Sequence, residues 1–232
     1  MPGRFVDVDT GADLGPCPNL LAVTHGQRPR LSGMPDRTYV AGKDVSARVA
    51  YLAHGHDHSA LLCRTALLRT PHWLSPAHAA QLAGQGFLRC EYKARYGQEP
   101  QECILLPALG AGLPPTPSQE LVLLAASPAA VPAGSSGGSA SAVAALQSSS
   151  TESGFQPSMY CRLQPEDSLV QPGYLIAHFL TPAVAITPQQ AFVVYDGEVC
   201  LGSAPIAMPG RTLYEEQRGT EALKAAPLAA AA

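Results

Sequence analysis

The sequence predicts an all-β fold built from short strands and many turns. Of the 232 residues only 14 % are charged, whereas 21 are glycine and 22 are proline, a composition typical of turn-rich chains. Several segments alternate apolar and polar residues, the pattern of strands with one buried face. Near the C-terminus, the apolar segments 191–195 and 198–201 flank Asp196-Gly197, a dipeptide that accepts the positive φ angles of a type I′ turn. This last pattern predicts a tight β-hairpin.

The first part of the chain predicts a small sheet. Residues 2–15 alternate apolar and acidic side chains and then turn at Thr10-Gly11, which predicts a strand that enters a hairpin. Residues 49–52 are apolar, and we interpret them as the return strand of the same sheet.

Three histidines, His54, His56 and His58, follow at a spacing of two residues. On a strand they would share one face, and three imidazoles could then converge on a zinc ion. A polar turn is the favoured interpretation, because no cysteine lies at ligand spacing and the nearby carboxylate of Asp57 would point to the other face. We therefore predict no metal site.

A second β unit begins near residue 61. Residues 61–73 predict a strand that runs to Trp73, the only tryptophan, which we expect to anchor either a core or a contact between domains. Ser75, Pro76 and the alanines after them predict a short helix, with Ser75 as the N-cap, Pro76 as the first helical residue and glycines at its end.

Residues 86–97 predict the strand with the clearest charge pattern. At a period of two, one face carries Arg89, Glu91, Lys93 and Arg95, and the other carries Cys90, Tyr92, Ala94 and Tyr96. We expect the first face to be solvated and mostly basic and the second to pack. At Gly97 the alternation can break, which would let Arg95 and Tyr96 reach one ligand. The alternative is an ordinary solvated face without a ligand.

Residues 110–158 differ in composition from the segments on either side. Their only charged residues are Glu120 and Glu152, among many alanines, serines, glycines and prolines. Such a segment buries too little apolar surface to offset its ordering entropy, so we predict a disordered insertion. The SGG sequence at 136–138 is similar to the phosphate loop of ATP pyrophosphatases, but Ala140 occupies the position of the expected aspartate, and we interpret the match as coincidence.

The net charge, the cysteine spacing and the lengths of the apolar runs restrict the kinds of partner that the chain could bind. The net charge is −3 and the pI is near 6.1, so a nucleic-acid contact would have to come from a local basic patch. The six cysteines are scattered without a C-x-x-C pair, which indicates reduced and mostly buried thiols in an intracellular protein. No apolar run reaches the roughly 18 residues of a membrane span, so no membrane partner is predicted.

Several short motifs occur in order along the chain. They are GQR at 26–28, KD at 43–44, GHxH at 55–58, HW at 72–73, KxRYxQ at 93–98, TPxQ at 187–190 and YDGEVCLG at 195–202. Together they resemble the tRNA-uridine 2-sulfurtransferases, the 2-thiouridylases that place sulfur on the wobble uridine of tRNA. The resemblance implies three parts: an N-terminal pyrophosphatase domain that binds ATP and tRNA, a small central β domain, and a six-stranded antiparallel β-barrel that grips tRNA.

The resemblance covers the second and third of these parts only. We expect the central β domain at 1–60, the barrel at 61–208 with its insertion at 110–158, and a flexible tail at 209–232. The family's ATP loop and its two sulfur-relaying cysteines belong to the N-terminal domain, so no catalytic residue and no bound cofactor is expected in this chain. The implied partners are tRNA and, through the N-terminal domain, a sulfur-donor protein. The implied location is the mitochondrion or another organelle for a nuclear-encoded member, and otherwise the cytoplasm.

The resemblance also places tRNA contacts at Arg95, Tyr96 and Gln190, and further contacts are expected at Arg89 and Lys93. These side chains suit phosphate, a stacked base and a base or ribose edge. Two hypotheses stay open at this point. The chain is either the tRNA-binding portion of a 2-sulfurtransferase or a stand-alone β-barrel module that binds RNA without chemistry.

Overall fold

The structure, a computed structural model, describes residues 1–29, 31, 36–108, 158 and 172–222. In these residues the strands are β1 (Gly3–Asp7), β2 (Asp13–Cys17), β3 (Thr38–Asp44), β4 (Val49–His54), β5 (Leu62–Leu68), β6 (His72–Trp73), β7 (Leu88–Lys93), β8 (Gln101–Pro107), β9 (Leu175–Val184), β10 (Ala191–Asp196) and β11 (Val199–Pro209). The α-helices are α1 (Pro76–Gln85) and α2 (Leu213–Ala222), and short 3-10 helices lie at Leu20–Ala22 and Ser59–Leu61. No described helix is long and apolar enough to cross a membrane. The predicted insertion at 110–158 lies outside the described residues except for Ser158.

The first four strands form one sheet in the order β2-β1-β4-β3, which we call the central sheet. The predicted N-terminal hairpin is confirmed, because β1 and β2 are antiparallel. In its turn Asp7 Oδ1 accepts hydrogen bonds from the backbone N–H groups of Asp9 (3.0 Å) and Thr10 (2.8 Å). The predicted return strand is β4, which lies antiparallel to β3 and parallel to β1. The central sheet buries Phe5, Cys17, Leu20, Val40, Ala50 and Leu52 in one cluster.

Six of the remaining strands form a closed antiparallel β-barrel, which confirms the predicted fold class. Their order is β10-β7-β8-β9-β5-β11, and the pairing of β10 with β11 closes the ring. The short strand β6 pairs with β11. Aromatic rings fill the interior: Tyr92 stacks on Phe192 with ring centroids 4.7 Å apart, and Phe179 lies 4.9 Å from Tyr92.

The closing hairpin is present, but its turn lies one residue later than predicted. Asp196 stays in the ladder opposite Val199, so the two loop residues are Gly197 and Glu198. Gly197 has a φ of +56°, whereas Glu198 does not have a positive φ. A two-residue loop with a positive φ only at a glycine in first position is characteristic of type II′, so the type I′ prediction is wrong.

Two predicted strands are shorter than expected. The strand predicted over 61–73 is interrupted after Leu68, because Pro71 has no N–H to donate to a ladder, and β6 is a separate segment. Its terminal Trp73 packs half-buried against the barrel core, as predicted. The strand predicted over 86–97 ends at Lys93, because the next N–H, that of Ala94, donates to a side chain instead of a neighbouring strand.

Helix α1 begins and ends as the sequence predicts. Ser75 Oγ accepts a hydrogen bond from the Ala77 N–H at 3.3 Å, and Pro76 is the first helical residue. Gly86 ends the helix in the left-handed conformation, with a φ of +77° and its N–H donated to Leu82 O.

The end of the chain differs from the flexible tail predicted from residue 209, because Leu213–Ala222 is the helix α2. A capping box starts this helix: the Glu215 N–H donates to Thr212 Oγ1 at 3.2 Å, and the Thr212 N–H donates to Glu215 Oε2 at 2.6 Å. Glu215 is fully buried and also accepts a hydrogen bond from Ser158 Oγ at 3.2 Å. Residues 223–232 lie outside the described residues.

The central sheet and the barrel share an apolar cluster. Its buried members are Val8, Ala41, Ala53, Ala60, Leu61, Ala185 and Tyr214. One hydrogen bond reinforces the contact: Tyr214 Oη donates to Val8 O at 2.7 Å. Helix α2, which follows the last barrel strand, thus connects the barrel to the central sheet.

Candidate nucleic-acid interface at one end of the barrel

Arg95 lies just beyond the end of β7 and is held by the end of β9. Its Nη2 donates to Val184 O and to Ala185 O, each at 2.8 Å. Burial of part of the guanidinium lowers the pKa of Arg95, but a guanidinium stays protonated in proteins. The side chain as a whole is exposed, so a fixed positive charge faces solvent at this end of the barrel.

Tyr96 is fully exposed, and its predicted place on the packed face of the strand is therefore wrong. The alternation breaks after Ala94, which is the last buried residue of this segment. The break has a visible cause: the Ala94 N–H donates to Gln98 Oε1 at 3.0 Å, and the Gln98 N–H donates to Arg95 O at 3.2 Å. The chain therefore turns at 95–98, and Tyr96 lies within the turn.

This turn is anchored to the barrel core by a short chain of hydrogen bonds. Gln98 Nε2 donates to Gln101 Oε1 at 3.2 Å, and the same oxygen accepts the hydroxyl of the buried Tyr92 at 3.0 Å. The sequence predicted no role for Gln98, although the last letter of KxRYxQ was the available signal. The exposed ring of Tyr96 is thus presented by a turn that is tied to the interior.

Gln190 is exposed at the end of a turn that precedes β10. The Gln190 N–H donates to Thr187 O at 3.4 Å, and Gln189 has a φ of +69° after Pro188, as in a type II turn. Ile206 fixes the turn from the neighbouring strand, because the Ile206 N–H donates to Gln190 O at 2.9 Å and Ile206 O accepts the Gln189 N–H at 2.8 Å. The amide of Gln190 is therefore carried by a well-supported backbone.

The strand register places Arg95, Tyr96 and Gln190 at the same end of the barrel. β7 and β10 are antiparallel with Lys93 opposite Val193, so the end of β7 lies beside the start of β10. The two further predicted contacts are positioned differently. Lys93 lies near this end, with Nζ 5.9 Å from the centroid of the Tyr195 ring. Arg89 is six residues before Arg95, about 20 Å away along an extended chain, and its Nη2 donates to Glu102 Oε1 at 2.8 Å.

A loop of the central sheet packs against this end of the barrel, and we call the contact between residues 24–27 and residues 184–187 the seam. The hydroxyl of Thr187 lies 3.0 Å from Ala185 O and 3.4 Å from His25 O, so it bridges the two sheets. At Gly26 an added Cβ would lie 2.6 Å from Ala185 Cβ and 3.4 Å from Arg95 Nη2. The GQR motif was the only sequence signal for this loop, and it did not predict the contact.

The three histidines at 54–58 have different partners. His54 Nε2 lies 2.7 Å from Asp7 Oδ2, and His58 Nε2 lies 3.1 Å from Asp9 Oδ2. The ring of His56 instead contacts the ring of Tyr39 edge to face. Within the described part of the chain, no three histidine, cysteine or acidic side chains are grouped as metal ligands.

Cys90 and Cys103 lie opposite each other on β7 and β8. Their Sγ atoms are 3.6 Å apart, both thiols are free, and both side chains are buried in the barrel core. Burial, together with the neighbouring Cys90, raises the pKa of Cys103 well above its ordinary value. A thiol of this kind packs as a small apolar side chain and is a poor nucleophile.

One buried histidine, His178, and one partly buried histidine, His25, predict that acid destabilises the protein. Burial lowers the pKa of His25 to about 4, with a further contribution from the positive charge of Arg95, and burial alone lowers the pKa of His178 to about 4. Between about pH 6.5 and 4 the unfolded chain binds these protons and the folded chain does not, so the free energy of unfolding falls as the pH falls. The loss is expected to approach roughly 3 kcal/mol per histidine.

Urea denaturation at several pH values between about 7 and 4.5 measures this loss. His178→Gln removes one of the two titrating groups, so its free energy of unfolding should fall less steeply over the same interval. Identical slopes for the parent and the variant would contradict the prediction.

Comparisons with known proteins find similarity to a β-barrel domain model and to several 2-thiouridylases. Residues 156–206 match a family model described as an aminomethyltransferase β-barrel domain. The chain is 34 % identical over 103 residues to mitochondrial tRNA-specific 2-thiouridylase 1 of Drosophila melanogaster, covering 44 % of this chain and 26 % of that protein. It is 24 % identical over 220 residues to the protein of the same name from Gallus gallus, covering 94 % and 37 %. It is also 24 % identical over 225 residues to tRNA-specific 2-thiouridylase MnmA of Stenotrophomonas maltophilia (strain R551-3), covering 94 % and 42 %. The chain thus spans less than half the length of each of these relatives.

Proposed function

We propose that this chain, which belongs to the tRNA-specific 2-thiouridylase family, binds tRNA at the end of its barrel that carries Arg95, Tyr96 and Gln190. The relatives are named for their action on tRNA, and a protein that modifies tRNA needs a surface that holds it. The end of the barrel supplies a fixed cation, an exposed aromatic ring and an exposed amide within one group of turns.

The observation that carries the proposal is the full exposure of Tyr96 beside Arg95. Tyrosine is usually at least partly buried, because its ring gains free energy on leaving water. Here a supported turn holds the ring in solvent. An exposed ring suits stacking on an unpaired base, and a neighbouring guanidinium suits the phosphate next to that base. Gln190 adds a donor and an acceptor for a base edge or a ribose hydroxyl.

We further propose that the chain serves 2-thiolation of the wobble uridine as the tRNA-binding portion of the enzyme. In the family, ATP and a protein persulfide act in an N-terminal pyrophosphatase domain. In this chain, the free thiols of Cys90 and Cys103 are buried in the barrel core. The relatives from fly and chicken are named as mitochondrial, and we propose the same location for this protein. Both hypotheses drawn from the sequence require RNA binding, so one experiment tests the part that they share.

Three single substitutions should weaken tRNA binding with different salt dependence. Arg95→Ala is expected to weaken binding about tenfold and to lower the salt slope by about one, because one phosphate contact is lost. Tyr96→Ala is expected to cost roughly 1–3 kcal/mol with little change in slope, because stacking releases no counterion. Gln190→Ala should weaken binding with an unchanged slope for the same reason. Fluorescence anisotropy with an unmodified tRNA transcript that has uridine at the wobble position, across a salt titration, measures both quantities.

The matched controls lie elsewhere on the surface. Arg48→Ala removes an exposed arginine that precedes β4 in the central sheet, and Leu74→Ala removes an exposed apolar side chain. Both controls should bind tRNA like the parent. If Arg95→Ala, Tyr96→Ala and Gln190→Ala also bind like the parent, this surface is not the tRNA site, and a parent chain that binds no tRNA contradicts the proposed function itself.

A further inference from the structure

We infer that the RNA-binding surface crosses the seam and includes Arg28 of the central sheet, which contacts the phosphate backbone of the same RNA that Arg95 contacts. The inference rests on the proposed function, and it adds a residue and a second sheet to the proposed surface. It follows from the position of Arg28, from the rigidity of the loop that carries it, and from the sign of the charges around it.

The position of Arg28 follows from the packing of Gly26 on the barrel. The site of a Cβ at Gly26 would lie only 3.4 Å from Arg95 Nη2, so the loop passes directly beside that guanidinium. Arg28 is two residues further along the chain, which is at most about 7–8 Å from Gly26 between Cα atoms. Its side chain is exposed, so it is free of the barrel core and faces solvent. Arg28 and Arg95 therefore lie within reach of neighbouring phosphates of one strand.

The loop that carries Arg28 is fixed by four hydrogen bonds. The Gly26 N–H donates to Val40 O at 2.7 Å, and the Val40 N–H donates to Gln27 O at 2.9 Å, which joins the loop to β3. The Gln27 N–H donates to Thr24 O, and Gln27 Oε1 accepts the Thr24 N–H, both at 2.9 Å. Gln27, the residue before Arg28, is bonded through both its backbone and its side chain, so the backbone that carries Arg28 is already ordered. Less conformational entropy is therefore lost when Arg28 binds a phosphate.

Basic side chains predominate in the segments at the seam. Residues 24–29, 93–98 and 185–191 contain Arg28, Lys93 and Arg95 and no aspartate or glutamate, and the nearest acidic residues along the chain are Glu91 and Glu99. The whole chain, in contrast, has 18 acidic and 15 basic side chains, with a net charge of −3. A local positive field on an acidic protein is the pattern expected where a polyanion docks, because repulsion elsewhere on the surface restricts the polyanion to that place.

The test compares Arg28→Ala with Arg48→Ala in the full chain. Arg48 is also an exposed arginine of the central sheet, but it precedes β4 at the end of the sheet where Asp44 pairs with Val49. Val40, which holds the loop, is four residues from Asp44, about 13 Å along the strand. The two variants therefore make the same change of charge at opposite ends of one sheet, and thermal melts of both test whether they are folded.

The probe is an unmodified tRNA transcript with uridine at the wobble position, titrated at several salt concentrations between about 50 and 200 mM. Arg28→Ala is expected to bind about threefold to tenfold more weakly than the parent and to have a salt slope smaller by about one. Arg28→Lys keeps the charge and should retain the parental slope. The double variant Arg28→Ala/Arg95→Ala should have a slope smaller by about two, because two phosphate contacts are then lost.

Each outcome separates this inference from the proposed function. If Arg95→Ala weakens binding while Arg28→Ala and Arg48→Ala both match the parent, the surface ends at the seam and the inference is wrong. If Arg28→Ala and Arg48→Ala weaken binding equally, the effect is one of net charge and the inference is again wrong. If the parent binds no tRNA, the proposed function fails and the inference fails with it.

Discussion

Tyr92→Ala is expected to lower the free energy of unfolding by about 3–5 kcal/mol, a large part of the total stability of a domain. The side chain is 0 % exposed, its ring stacks on Phe192 and packs at a tilt against Phe179, and its hydroxyl donates to Gln101 Oε1. The substitution leaves a cavity between two rings in the barrel interior and removes the hydrogen bond as well. Urea denaturation followed by circular dichroism measures the loss.

Two variants make the cause of the loss clear. Tyr92→Phe keeps the stacked ring and removes only the hydroxyl, so it should cost about 1 kcal/mol. Tyr96→Ala removes a tyrosine that is fully exposed and should leave the free energy of unfolding unchanged within about 0.5 kcal/mol. If Tyr92→Ala and Tyr96→Ala unfold at the same urea concentration, the aromatic stack does not stabilise the barrel.

Gly26→Ala is the second substitution with a large expected effect, because it acts on the seam. The φ of Gly26 is +76°, which costs an alanine about 1–2 kcal/mol, and the new Cβ would lie 2.6 Å from Ala185 Cβ. Ala185 cannot yield easily, since its N–H donates to Leu61 O at 2.6 Å and its own φ is +46°. We expect the loop to leave the barrel, with a loss of stability beyond the conformational cost and weaker tRNA binding.

Gly11→Ala is the matched control for this substitution. Gly11 has nearly the same φ, +71°, but an added Cβ would meet no atom within 4 Å. The control therefore has the conformational cost without the clash, and the difference between the two melting temperatures measures the contact at the seam. Equal melting temperatures, or undiminished tRNA binding by Gly26→Ala, would contradict a tight contact at this point.

The elements that the sequence predicted well are those fixed by local chemistry. The caps of α1 are fixed by Ser75, Pro76 and Gly86, each of which acts within one turn of the helix. The closing hairpin was predicted for the same reason. Its turn was misplaced by one residue because a single glycine satisfies either turn type, and the pairing of Asp196 with Val199 decided between them.

Helix α2 was missed although a local signal was present. The sequence TLYE at 212–215 is a capping pattern, with threonine three residues before glutamate. The charged and alanine-rich residues after it suggested a tail. Burial of Tyr214 and Glu215 stabilises the helix, and that burial depends on packing against residues far away in the chain.

In the candidate site too, local patterns predicted part of the geometry and other contacts decided the rest. The motif and the turn chemistry at Gly97 predicted that Arg95 and Tyr96 would reach one surface, but the alternation had placed Tyr96 in the packed face. The side chain of Gln98, bonded to the Ala94 N–H, decided the outcome. The seam could not be predicted, because Thr187 and His25 are 162 residues apart and no periodic pattern links them.

The hydrogen bond from Tyr214 to Val8 joins residues that are 206 positions apart, and it bears on the order in which the protein is made and folded. A ribosome completes the strands of the central sheet early, yet one of the residues that fasten them to the barrel is synthesised after β11. Contacts of such long separation form late in folding, because the loop that they close has a high entropic cost. A nascent chain can therefore hold the folded central sheet before the seam has formed, and Arg28 and Arg95 are presented to the same RNA only once the barrel strands synthesised later have packed against that sheet.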